Sequence, residues 1–73
     1  MTLDLLKENE TATIESIADD SLAIQLLAMG FILGGKVTVE RIAPLSDPII
    51  IASDNNHVSI RKKDAKHIQI NKI

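Results

Sequence analysis

Apolar and polar residues alternate along most of this chain, and one short stretch departs from the alternation. Thr11-Ala12-Thr13-Ile14-Glu15-Ser16-Ile17 alternates with Ala12, Ile14 and Ser16 on one side. Threonine and isoleucine favour a strand there. Lys36–Ile42 alternates again, with Val37, Val39 and Arg41 to one side and a change of register expected near its end. Ile49–Ala52 is a continuous apolar run, read as a mostly buried strand. His57–Arg61 places Val58 and Ile60 inward, and His67–Asn71 places Ile68 and Ile70 inward. The pattern predicts five short strands.

The exception is Leu22–Val37. Asp19, Asp20 and Ser21 are capping residues ahead of an apolar run, and negative charge suits a helix N-terminus. A helix is expected over Ser21–Met29, with Gly30 as its left-handed stop. Phe31-Ile32-Leu33 then forms a short apolar turn ended by Gly34-Gly35. Between Leu22 and Met29 only Gln25 is polar, whereas a surface helix normally keeps a polar face. Leu22, Leu26 and Met29 line one face, and Ile24, Leu27 and Ala28 extend the apolar surface round the other. Cover by Leu3, Leu5 and Leu6 of the N-terminal segment is the expected account of that second side. The alternative leaves it exposed for a partner.

Turn chemistry divides the remainder. Ala43–Pro48 holds both prolines and reverses the chain, Ser53–Asn56 is a hairpin turn, and Lys62–Lys66 suits one tight helical turn. So many short strands in 73 residues point to one small mainly β domain over residues 1–73. It should be a closed or nearly closed barrel with a helix inserted after the first strand.

Composition narrows the function more than it defines it. There is no cysteine, so neither disulfides nor thiolate metal sites stabilise the domain. One Phe is the sole aromatic residue and the net charge is −2. Nucleic-acid binding is therefore not expected, because such sites are basic and often stack bases on rings. No phosphate loop or nucleophile signature is present, so no enzyme activity is expected. The longest uncharged run, Ser21–Gly35, is shorter than the ~20 residues needed to span a bilayer. A cytoplasmic protein that does not itself span the membrane is expected.

Several segments together resemble the FeoA-type family of ferrous-iron transport accessory proteins. They are Leu26–Phe31, Gly34, Val37–Val39, Arg41–Ile49, Ile60–Ala65 and Ile68–Ile70. Leu33 stands where the family usually has proline, Ser46 where it usually has glycine, and Gln25 where relatives often have a basic residue. The resemblance implies an SH3-like barrel. It also implies partnership with a membrane ferrous-iron transporter that has a GTP-binding domain, which the chain would bind and modulate. Ile24, Leu27, Ala28, Met29, Gly30 and Phe31 are the candidate contact residues. No cofactor is expected. A weak divalent transition-metal site (Fe or Zn) would use His57, His67 and Asp54, with Asp47 as a helper. The alternative function is a stand-alone metal-binding or metal-responsive module related to the C-terminal domain of metal-dependent repressors. Homo-oligomerisation is left open.

Overall fold

The computed structural model describes residues 1–73. An N-terminal 3-10 turn (Leu3–Leu5) leads into β1 (Thr11–Ile17), α1 (Asp20–Ala28) and β2 (Lys36–Ile42). A second 3-10 turn (Pro44–Ser46) precedes β3 (Ile49–Ser53), β4 (Asn56–Ile60), α2 (Lys62–Ala65) and β5 (Ile68–Lys72). The strands form one antiparallel sheet in the order β4-β3-β2-β1-β5. Its two ends, β4 and β5, do not pair with each other.

Two bulges bend this sheet and correct the expected alternation. Ile14 pairs with Ile70 and Ser16 with Gln69, so Glu15 is an extra residue in β1. Val39 pairs with Ile51 and Arg41 with Ile50, so Glu40 is an extra residue in β2. A bulge inserts one residue, bends the strand and changes the phase of everything after it. Ser16 and Arg41 are therefore exposed, and Ile17 and Ile42 pack on the core in their place.

The core holds fifteen buried residues, all apolar, so no polar side chain has to be satisfied inside it. Leu3 and Leu6 belong to it, but the N-terminal turn packs on α2 and β5. It does not cover the outer side of α1, contrary to expectation. Helix α1 begins where its cap allows: the Asp19 carboxylate accepts the Leu22 N–H at 3.0 Å. Its inner stripe is Leu22 and Leu26, four residues apart and one above the other.

The two proline-reversal and basic segments singled out in the sequence meet in space. The Asp47 carboxylate accepts the Lys62 N–H at 2.9 Å, satisfying one donor at the start of α2. Leu45 and Ser46 both adopt positive φ, +71° and +69°. That conformation explains why a glycine is at home in the Ser46 place.

One ion pair ties the chain's ends. The Glu10 carboxylate lies 2.5 Å from the Lys72 ammonium. That hydrogen bond, helped by the Lys7 N–H at 2.8 Å, holds the Glu10 carboxyl below its ordinary range. A carboxyl lowered on folding stabilises the fold above its unfolded value and loses that contribution as pH falls through the folded one. Glu10→Gln should therefore be less stable than the parent at pH 7. The difference should begin to shrink as pH falls below about 4.5 and vanish below the lowered folded value, in parallel urea titrations. A gap independent of pH would remove the ion pair as its cause.

Candidate partner-binding surface

The outer side of α1 is bare. Ile24 is 70% exposed and Leu27 61% exposed. The turn after the helix adds Ile32 at 53% and Leu33 at 61%. Leu27, Ile32 and Leu33 border an apolar groove of about 190 Å³ that is also lined by Ile17, Ala23 and Phe31. Phe31 is only 2% exposed, so it supports this groove from beneath. Met29 and Ala28 are exposed at the end of the helix.

Local structure explains why these residues sit there. Met29 N–H and Gly30 N–H turn back onto Leu26 and Leu27, and Phe31 N–H donates to Leu26 at 2.9 Å. Gly30 has φ +90°, the left-handed helix stop expected from its place. Its α-carbon also lies against the Asn56 side chain, where an added Cβ would collide. The stop drops Phe31 into the core and leaves Ile32 and Leu33 outside.

A second turn follows at once. Gly35 N–H donates to Ile32 C=O at 3.0 Å, and Gly34 has φ +81°. Positive φ at the third place defines a type II turn, which favours proline in the second. Leu33 holds that second place, and its N–H has no main-chain partner. Leu33→Pro should therefore stabilise the fold by about 0.4–1 kcal/mol, mainly by restricting the unfolded chain. Thermal denaturation should show a rise of about 2–8 °C. A fall would mean that Leu33 is not at the proline-compatible position.

The metal candidates do not converge. His57 is the second residue of β4 and His67 precedes β5, and these two strands do not pair with each other. His57 Nδ1 instead lies 2.6 Å from the Glu40 carboxylate, on the exposed side of the sheet. Asp54 is exposed in the β3–β4 turn, and Asp47 is engaged with Lys62. No three His, Cys, Asp or Glu side chains are grouped to hold a metal. The structure therefore does not group His57, His67 and Asp54 as a three-ligand cluster.

The model of the FeoA domain matches residues 1–72. The chain belongs to the FeoA family. Its fold superposes on the solution structure of the FeoA protein from Chlorobium tepidum with a TM-score of 0.93. The two are 30% identical, over 100% of this chain and 70% of that one. The Stenotrophomonas maltophilia FeoA, solved in complex with zinc and described as a procaryotic SH3 domain protein, gives a TM-score of 0.81. It is 26% identical over 97% of this chain and 89% of that one. The expected SH3-like architecture thus holds for this FeoA-family chain. The zinc of that relative has no counterpart three-ligand cluster here.

A curated relative from Porphyromonas gingivalis is an Fe(2+) transport protein A/Fe(2+) transporter FeoB fusion protein. It is 39% identical over 46 residues, 63% of this chain. The chain spans about 6% of that protein's length.

The expected contact residues Ile24, Leu27, Ala28 and Met29 lie on an accessible surface. Ile32 and Leu33 belong to the same patch but were expected only to form a turn. Their signal was the glycine pair beside them. A glycine-ended turn three apolar residues long has no room to bury all three.

Proposed function

We propose that this FeoA-family chain is a non-catalytic cytoplasmic accessory of ferrous-iron uptake. It binds and modulates the cytosolic GTP-binding region of a FeoB-type membrane transporter. The observation behind this reading is the bare apolar side of α1, continuous with Ile32 and Leu33 and with the groove between them. Scattered single apolar residues need no explanation, but a contiguous patch on so small a domain does. Family membership and the existence of a fused relative support a transporter as the partner. Ile24, Leu27, Ala28 and Met29 make the contact, while Gly30 and Phe31 set the shape beneath it.

The test is a titration of the isotope-labelled chain with the cytosolic domain of such a transporter, with and without guanine nucleotide. Amide shifts should cluster at Ile24–Leu33. Shifts elsewhere, or none at saturating concentrations of that domain, would refute this surface as the contact.

A further inference from the structure

The sheet has one protected end and one open end. The outer edge of β5 is occupied by the N-terminal residues: Ile70 N–H donates to Met1 C=O at 2.8 Å, and Thr2 bridges Gln69. The outer edge of β4 has no such cover, because β4 pairs only with β3. That pairing runs without a bulge from Ile49–Ile60 to Ser53–Asn56. The strand Asn-His-Val-Ser-Ile contains no proline, lysine or acidic residue. It therefore lacks the proline and charged side chains by which many proteins blunt an edge.

This edge opens onto a groove of about 210 Å³ between β4 and α1. Leu22, Leu26 and Met29 line it from the helix and Val58 and Ile60 from the strand, and Arg61 and Asp64 close its end. The stretch Arg61–Lys66 carries four cations and one carboxylate. None of them is in an ion pair, since the two pairs in the structure are His57–Glu40 and Lys72–Glu10.

We propose that the β4 edge and this groove bind an extended peptide segment of a partner protein as a sixth strand. The segment places apolar side chains at alternate positions in the groove and an acidic residue over Arg61. Unpaired main-chain groups supply the ladder, and the groove reads every second side chain. Five residues of β4 span about 17 Å, which sets the segment at five or six residues. A proline-rich helix is the poorer occupant. Such ligands dock in aromatic-lined grooves, and the sole aromatic residue, Phe31, is buried beneath the other groove. Met29 borders both surfaces, so the two contacts are told apart at Ile24 and Leu27, which do not line this groove.

The probe is the capped synthetic peptide acetyl-Asp-Glu-Val-Thr-Val-Thr-Ile-Thr-amide, titrated into the isotope-labelled full chain. Shifts are expected at Asn56–Ile60 and at Leu22, Leu26 and Met29, with slowed hydrogen exchange along β4. Arg61→Glu leaves an exposed position exposed and should weaken binding about threefold to fivefold. The same peptide with proline at its centre should give no shifts. The proposal is overturned by an unresponsive β4 at millimolar peptide, by equal binding of the proline peptide, or by shifts confined to Ile24 and Leu27. It is equally overturned if concentrating the chain alone produces the β4 shifts, which would make a second copy the occupant.

Discussion

Leu27→Glu should leave the fold intact and weaken binding to the transporter's cytosolic domain by about a hundredfold. Leu27 is 61% exposed, so the carboxylate stays in water in the free protein. It lies outside the inward stripe of Leu22 and Leu26 and meets the core only at the rim of the groove above Phe31. In the complex the same carboxylate would be pressed against an apolar partner surface without a counter-charge. Losing a central apolar contact and desolvating an unpaired charge each cost roughly 1–3 kcal/mol, and they act in the same direction. Calorimetry of binding and circular dichroism of the free variant separate the two effects. Unchanged affinity with an unchanged spectrum would move the contact off α1, and a lost fold would mean that Leu27 is needed inside.

Gly30→Val should be the most destabilising single change outside the core, at about 3 kcal/mol, with Gly30→Ala at about 1–2 kcal/mol. Two causes act together. The φ of +90° is strained for any side chain and worst for a branched one. A Cβ would also meet the amide end of the exposed Asn56 side chain, which can swing aside, so this is the smaller cause. They can be separated by adding Asn56→Ala, which removes the collision and leaves the backbone strain. The double variant Gly30→Ala with Asn56→Ala should then cost less than the sum of the singles. Strict additivity in urea titrations would leave strain as the whole cause. Because a domain this small has little stability to lose, the valine variant should be partly unfolded near 37 °C.

The strands, the helix and their order were legible because period two and period 3.6 look different over seven or more residues. Helix boundaries were off by one residue, since of the capping candidates Asp19, Asp20 and Ser21 it is Asp19 that supplies the cap. The phase of β1 and β2 beyond their middles was not fully legible. Nothing in Ile14-Glu15-Ser16 announces an extra residue, because the choice is made by the partner strand across the ladder. The partner surface was half legible. The run from Leu22 to Met29 shows two apolar faces, but it does not reveal which one is covered. That depends on where Leu3 and Leu6 go, and they go to α2 and β5. The metal candidates failed for the same reason: a histidine opening a strand says nothing about which edge of the sheet that strand will occupy.

The two bulged residues also govern how this fold tolerates changes in length. Glu15 and Glu40 have no opposite number in the ladder, yet each sets the phase of the residues after it. Inserting one more residue after Glu15 would add no contact in the core, but with the ladder still absorbing a single extra residue it would turn Ile17 to solvent and bring Ser16 inward. The apolar groove would lose one wall without any of its lining residues being altered. For this protein, then, the count of residues between Ile14 and Ile17 is as much a determinant of its surface as the identity of the residues that form it.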